Sequence, residues 1–332
     1  MALPSILSQI YSTLLLLAII SLTIWLSVAK FVSFYGQLPL PTAILDVLGS
    51  FVLSAICILN CLFEHFFYRH KLSAFRTSLN KTAFFLGLTN RNNKQTIVKV
   101  LTYLATFVAY GFNIYAYINT LGSKFFKYNL MGVFLMYRAF LLVLSVYDAA
   151  NAIQNRLVLL SHKIEKLVQN DDKALQAVDC LKYYFVLAES MDNISQIYGW
   201  QILVTYRMIV LFVVETIYYV YQLLSMGVSD VLIILGNLFT TTVLIVHGIL
   251  IFFSCDEANK MTQSVLLLCQ NLVNKTRPKS EIRRALELFC CHIGLEKPQI
   301  RCPLGFPVGR RLFFNILRDV MNYLIIVFQL DV

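Results

Sequence analysis

Four polar side chains lie on one face of the last hydrophobic segment of the chain. They occur between Leu312 and Leu330, and they are Asn315, Asp319, Asn322 and Gln329. At about 100° per residue they fall within an arc of about 80° that also contains Ile326. Copies of this helix around an axis would form rings of Gln329 and Ile326 near one end, with rings of Asn322 and Asp319 below. Acidic rings favour cations and hydrophobic rings can gate by dewetting, so this polar stripe suggests a pore.

The same stripe also fits a helix that packs against other segments of its own chain. The uncharged part, from Val320 to Leu330, is roughly 16 Å long at 1.5 Å per residue, which is too short for a hydrocarbon core of about 30 Å. Arg318 and Asp319 must therefore lie at the membrane boundary or face water or protein. Periodicity alone leaves both interpretations open.

The composition is that of a polytopic membrane protein. The chain has 332 residues, of which 58% are hydrophobic and 14% charged, and apolar runs of about 20 residues recur along its length. We predict an all-α fold with seven spans in one domain covering residues 1–332. The predicted spans are residues 6–29, 43–67, 100–119, 130–147, 198–223, 231–254 and 312–330.

The lysines and arginines predict the orientation. The segments after spans 2, 4 and 6 carry 7, 5 and 10 of them, whereas those after spans 1, 3 and 5 carry 1, 2 and none. By the positive-inside rule the N-terminus is cytoplasmic and the C-terminus extracellular. The net charge of +10 is then explained by a basic face beside anionic lipid of the bilayer, so no nucleic-acid partner is expected.

Two long connections are predicted to form cytoplasmic anchor helices, about residues 148–197 and 255–311. Apolar residues recur at 3–4 spacing after span 4 until Asp171 and Asp172 interrupt them, and a second helical run begins at Ala174. The helix after span 6 should end at Pro278, and Ser280 should cap a short helix that starts at Glu281.

The outer halves of spans 2, 3, 4 and 6 supply aromatic and polar residues that suit a small-molecule pocket. An interfacial aromatic belt would use the same residue types, so both readings stay open. The candidates are Asp46, Ser50, Phe112, Asn113, Tyr115, Tyr117, Phe134, Tyr137, Asn237 and Thr240.

Four ionisable residues fall within spans 4 to 6. Arg138 and Glu215 lie at equal depth and are predicted to pair, either beside a ligand cavity or as a structural bridge. Arg207 and His247 lie in the inner halves of their spans, and we expect them to face the cytoplasmic helical layer rather than a ligand.

Catalytic patterns are absent from the sequence. It has no Ser-His-Asp arrangement, no His-Glu-x-x-His and no phosphate-cradling glycine loop. The run Cys290-Cys291-His292 lacks a second ligand pair at a useful spacing. We therefore expect no enzyme, no metal site and no cofactor.

The end of the chain resembles a motif of insect gustatory receptors. That motif is Thr-Tyr, five hydrophobic residues, Gln and Phe. In this chain Tyr323, the five hydrophobic residues after it and Gln329 match the motif. Asn322 and Leu330 replace its Thr and its Phe. Residues 305–313 are similar to the family segment that leads into the last helix. Residues 194–203 are similar to the run at the start of its fifth helix, with Ser195 and Tyr198 as departures.

The resemblance implies a ligand-gated, non-selective cation channel made of four subunits, identical or mixed with other gustatory receptors. The last helix would line the pore, with the gate at Gln329 and Leu330, and the cytoplasmic helices would join the subunits. A small-molecule tastant would open it in the plasma membrane of sensory-neuron dendrites and axons. Sugar receptors often carry Glu after the motif Tyr, and Leu324 there favours a bitter or other tastant.

The alternatives are three other classes of membrane protein. An odorant receptor of the same superfamily would share the topology but fits the Tyr–Gln motif less well. A G-protein-coupled receptor would be inverted, with an Asp-Arg-Tyr-like triplet, prolines in its later spans and an outer disulfide. A secondary transporter would show inverted repeats and helices broken by Gly or Pro. The sequence shows none of the features expected of a G-protein-coupled receptor or of a secondary transporter.

The predicted orientation can be tested by glycosylation in intact cells. All three Asn-x-Ser/Thr sites, Asn80, Asn193 and Asn274, lie on the predicted cytoplasmic side, so they should remain unmodified. A tag at the C-terminus should be reachable by antibody without permeabilisation. Glycans on Asn80 or Asn274 would contradict the orientation.

Overall fold

The computed structural model describes residues 16–25, 40–62, 69–87, 93–122, 124–168, 174–225, 231–277, 280–295 and 298–330, with isolated positions 10, 13, 14 and 28. Its helices are α1 (Leu16–Trp25), α2 (Leu40–Cys61), α3 (Arg69–Leu86), α4 (Asn93–Leu121), α5 (Lys124–Val168), α6 (Ala174–Ser225), α7 (Val231–Lys275), α8 (Glu281–Leu295) and α9 (Arg310–Leu330). Parts of the first two predicted spans lie outside the described residues, namely 6–9, 11, 12, 15, 26, 27, 29 and 63–67.

The fold is that of an all-α, polytopic membrane protein, as predicted. Five helices, α4, α5, α6, α7 and α9, are long and apolar enough to cross a membrane, and α1 and α2 contain shorter apolar segments, Leu16–Trp25 and Ala43–Leu59. Each predicted span thus has an apolar helix among the described residues.

Helices α5, α6 and α7 continue without interruption far beyond their membrane segments. Each has 45 residues or more, roughly 68 Å or longer at 1.5 Å per residue. The stretch of α5 beyond its span buries Ile153, Leu157, Leu160 and Ile164 almost completely, and these are the residues whose spacing predicted a helix. The predicted breaks also occur, since α5 ends at Val168, α6 begins at Ala174 and α7 ends before Pro278.

Helix α3 was not predicted from the sequence. It packs against α5 and α6, with Phe75 and Thr82 buried. Two cationic side chains of α5 bind backbone carbonyl groups in the C-terminal half of α3. Arg156 Nε donates to Leu79 O at 3.1 Å, and Lys163 Nζ donates to Phe85 O at 3.0 Å. Phe85 lies in the last turn of α3, where carbonyls lack partners within the helix, so Lys163 satisfies one of them and its charge complements the dipole of α3.

The segment that leads into α9, residues 298–309, is called the link. It is bound to α7 through the buried side-chain amide of Asn259. It folds back on itself through Cys302 N to Phe306 O at 2.8 Å and Val308 N to Ile300 O at 2.9 Å. Asn259 of α7 donates from Nδ2 to Val308 O at 2.9 Å and accepts from Ile300 N at 2.7 Å. The Asn259 side chain thus pairs with two backbone groups of the link that would otherwise need a neighbouring strand.

Replacing Asn259 should loosen the link. Asn259→Ala leaves a buried carbonyl and a buried N–H without partners, which should lower the free energy of unfolding by roughly 1–3 kcal/mol. Thermal unfolding of the purified receptor in detergent measures the loss. The control is Asn274→Ala on the same helix, where the side chain is exposed, and equal melting temperatures for both variants would contradict the assignment.

Candidate functional site

Helix α9 is held by one apolar face. Ile316, Val320, Leu324 and Val327 are buried where the helix packs against α6 and α7. At its outer end Phe328 contacts Tyr221 with ring centroids 5.0 Å apart. The spacing of three and four residues along this face fixes which residues point away from the chain.

The polar stripe lies beside this buried face, and its residues differ in how much they are exposed. Asn322, Ile326 and Gln329 are exposed on the surface of the single chain, and Tyr323 is exposed at its edge. Asn315 and Asp319 are half-buried. Leu330 is the last helical residue, and its side chain lies outside the described part of the structure. The two readings of the stripe therefore apply to different residues of it.

Asp319 pairs with α6 of its own chain. Its Oδ2 atom accepts a short hydrogen bond from the Tyr206 hydroxyl and lies 3.3 Å from Arg207 Nη1. Its Oδ1 atom lies 3.5 Å from Nη2 of the adjacent Arg318. We call these four residues the α6–α9 seam. The pairing corrects the expectation that Arg207 faces the cytoplasmic layer, and the equal inner-half positions of Arg207 and Asp319 were the signal that could have revealed it.

Both arginines of the seam are exposed at depth within predicted spans. The Arg207 side chain is 51% exposed and that of Arg318 is 67% exposed. They lie about 13 Å and 9 Å along their helices from Tyr198 and Leu312, where the spans begin. Within the described parts of the predicted spans, the other Asp, Glu, Lys and Arg residues are at least partly buried.

A second group of polar residues joins the outer halves of α4 and α7; we call it the outer cluster. Asn113 Nδ2 donates to Asn237 Oδ1 at 3.2 Å and to Thr240 Oγ1 at 2.9 Å, and the Tyr117 hydroxyl donates to Asn237 Oδ1 at 3.3 Å. Gly236 permits this contact, since a Cβ there would lie 3.3 Å from Asn113 Cα. Sequence reasoning named all four residues as candidates.

Two acidic candidates lie near the outer cluster. Asp46 and Glu215 lie within electrostatic range of the Tyr117 hydroxyl. Glu215 also approaches α2 closely, because a Cβ on Gly49 would lie 3.5 Å from its Oε2 atom. Asp46 on α2, Glu215 on α6 and Asn237 on α7 thus belong to helices that pack in sequence, α2 on α6 and α6 on α7. The predicted pairing of Glu215 with half-buried Arg138 stays a prediction.

The aromatic candidates are arranged differently. Tyr115 and Tyr137 are about half exposed on the outer surface of the chain. Phe112 packs against Phe239 with ring centroids 6.5 Å apart. The exposed pair suits the interfacial belt, which was the alternative reading of these residues.

His247 belongs to the helix packing within the bundle, not to the cytoplasmic layer. It is buried, its Nε2 atom lies 3.1 Å from Thr106 Oγ1 of α4, and its ring stacks on Phe140 of α5 at 4.8 Å. Its role is therefore to join α4, α5 and α7.

Residues 194–203 and 305–313 are the two further runs that resemble the family, and the link connects them. Ser195 Oγ accepts from Arg301 N at 2.9 Å and donates its one proton to Met191 O of α6 at 2.9 Å, with Gln299 O 3.4 Å away. Gly199 lies against the same strand of the link, where a Cβ would stand 3.1 Å from Arg301 O. The start of the membrane segment of α6 and the approach to α9 are thus one structural unit.

These features define the class of the protein: a multi-pass helical membrane protein whose last helix carries exposed polar residues and whose longest helices continue beyond their spans and pack together there. The chain matches the profile of the 7tm chemosensory receptor family over residues 4–332, and it belongs to that family. Its role is that of a chemoreceptor, and the family is one of receptors rather than enzymes. No curated protein matches the chain significantly.

The seam should show energetic coupling between Arg207 and Asp319. In a double-mutant cycle with Arg207→Ala and Asp319→Ala, we expect a coupling of roughly 0.5–1 kcal/mol, since Asp319 is largely shielded from water. Thermal unfolding of the four proteins measures it.

The pair Arg283 and Glu287 on α8, four residues apart with Nε and Oε1 separated by 2.8 Å and with both side chains partly exposed, serves as the matched control. Its cycle should give a smaller coupling. Additive effects of the two seam substitutions would mean that the pair does not form in the receptor.

Proposed function

We propose that the protein is a gustatory receptor, a tastant-gated cation channel in which several copies of α9 surround the pore. The observation that supports this most is the exposure of Arg207 and Arg318 at depth in the spans. A charged side chain facing hydrocarbon costs several kcal/mol, so this side of the bundle needs water or protein beside it. A pore formed by several subunits supplies both.

The exposed part of the polar stripe supports the same proposal. Asn322 and Gln329 are exposed beside Ile326, and an amide facing lipid would lack hydrogen-bond partners. The opposite is found on α4, whose exposed surface carries Leu101, Leu104 and Phe107. That surface suits lipid, and it distinguishes the outside of the assembly from its axis.

Four subunits, identical or mixed with other gustatory receptors, are part of the proposal. Copies meeting along α9 would cover the exposed apolar residues Phe314, Leu317, Met321 and Ile325, which flank the stripe on the same helix. The location in sensory-neuron dendrites and axons follows from the proposed role. The Tyr323 and Gln329 pattern favours the gustatory branch over the odorant branch.

The outer cluster is the proposed tastant site. Its amide and hydroxyl groups converge between α4 and α7 near the two carboxyl groups of Asp46 and Glu215. Such a set of few polar groups among aromatic residues suits a small neutral or basic tastant. Arg138, Phe112, Tyr115 and Tyr137 remain proposed members of its surroundings.

The pore proposal predicts that Gln329 affects permeation. Gln329→Leu replaces an exposed amide near the outer end of α9 with an apolar group, which should make the constriction harder to wet and reduce the single-channel conductance severalfold. Currents are recorded from cells under a panel of alkaloids and sugars, with surface expression measured by a C-terminal tag.

Gln270→Leu provides the control, because this exposed glutamine lies on the part of α7 beyond its membrane segment. It should leave the conductance unchanged. If Gln329→Leu conducts like the unaltered receptor at equal surface expression, the stripe does not line the pore.

A further inference from the structure

The α6–α9 seam carries a net positive charge that the stripe alone does not suggest. It holds two guanidinium groups and one carboxylate. The carboxylate is directed towards α6, since one oxygen binds both the Tyr206 hydroxyl and Arg207. The contact with Arg318 is longer, 3.5 Å to the other oxygen. Arg207 is therefore the arginine whose charge Asp319 compensates most.

Arg318 lies on the same ridge of α9 as the exposed stripe residues. Asn322 follows it by four residues and Ile326 by eight, and residues four apart form one row along a helix. All three are exposed. Any axis that Asn322 and Ile326 face is consequently also faced by Arg318, one turn closer to the start of the helix.

We propose that the Arg318 side chains form a positively charged collar at the cytoplasmic mouth of the pore, where they hinder the entry of cations from the cytoplasm. This inference rests on the proposed function and on the predicted orientation. One uncompensated charge per chain repels cations from one side only, because the collar lies at one end of the conduction path. The channel should therefore pass inward cation current more readily than outward current.

The size of the effect follows from the charges. Four unit charges placed one Debye length, about 8 Å, from an axis in water would lower the local cation concentration roughly threefold at physiological ionic strength. The interaction is screened with a Debye length of about 8 Å. Raising the cytoplasmic salt concentration should accordingly weaken the rectification.

The first test records single-channel currents in symmetrical salt at both polarities. Arg318→Gln removes the collar charge and should raise outward current roughly threefold with a smaller change in inward current. Arg318→Lys keeps the charge and should rectify like the unaltered receptor. The control is Arg284→Gln on α8, which removes an equal charge from an exposed arginine outside the predicted spans.

Each outcome has a defined meaning. Loss of rectification in Arg318→Gln but not in Arg318→Lys or Arg284→Gln supports the collar. Unchanged rectification in Arg318→Gln, together with an altered conductance in Gln329→Leu, would leave the pore in place and overturn the collar. Absence of current in every protein, including a Leu330→Ala variant with a smaller gate residue, both alone and after co-expression with other gustatory receptors, would overturn the pore and the collar together.

A second test needs no open channel. Asn322→Cys places a thiol one turn beyond Arg318, and methanethiosulfonate reagents of positive or negative charge are applied to inside-out membrane vesicles. Mass spectrometry follows modification at residue 322 specifically. The measured quantity is the ratio of the anionic to the cationic reaction rate. We expect this ratio to be severalfold higher in Asn322→Cys than in the double variant that also carries Arg318→Gln. An equal ratio of rates in the two backgrounds would overturn the collar.

Discussion

A guanidinium group stays charged and cannot be left in hydrocarbon without a large cost in free energy. The arrangement of this chain depends on that constraint, because Arg207 and Arg318 are exposed on the surface of the single chain, within predicted spans and on the same seam. That side of the bundle must border water or protein. The exposed apolar surface of α4 can border lipid. In the proposed assembly, this constraint directs the α6–α9 seam towards the axis.

The link determines where α9 begins. Asn259 holds its backbone, and Ser195 and Gly199 hold its other side. At the helix start, Arg310 Nε lies 3.2 Å from Asp256 Oδ2. Gly309 is packed so tightly against the same carboxyl group that a Cβ would stand 2.7 Å from Asp256 Oδ1. The start of the proposed pore helix therefore follows any displacement of α6 or α7.

The outer cluster lies near the start of α7, and this attachment lies near the middle of the same helix. Helix α7 contributes Asn237 and Thr240 to the cluster and Asp256 and Asn259 to the support of α9. A ligand that separates α4 from α7 would act on a continuous helix whose middle part holds the link. Signal transmission through one rigid element of this kind needs no additional mobile domain.

Much of the fold could be predicted because long apolar periodic segments and helix breakers are local signals. The seven apolar helices and the breaks near Asp171 and Pro278 are of this kind. Helix α3 was missed because its polar sequence is stabilised by Arg156 and Lys163, which are far away in the chain.

The site was predictable as a helix face but not as a set of contacts. Periodicity placed Asp319 on the stripe, whereas its partner Arg207 depends on the packing of α9 against α6. The same limit applies to the aromatic candidates. Asn113 and Tyr115 are two residues apart and point in nearly opposite directions on α4, so one joins the outer cluster and the other is exposed.

The proposed pore requires the exposed side of α9 to border a water-filled axis. Electron cryomicroscopy of the receptor in lipid nanodiscs would show whether it does. We expect four copies around one axis, with Asn322, Ile326 and Gln329 facing it and Arg318 at its cytoplasmic end. An assembly in which the Arg318 face of α9 lies against lipid, or a single chain alone in the nanodisc with that face towards the bilayer, would contradict it.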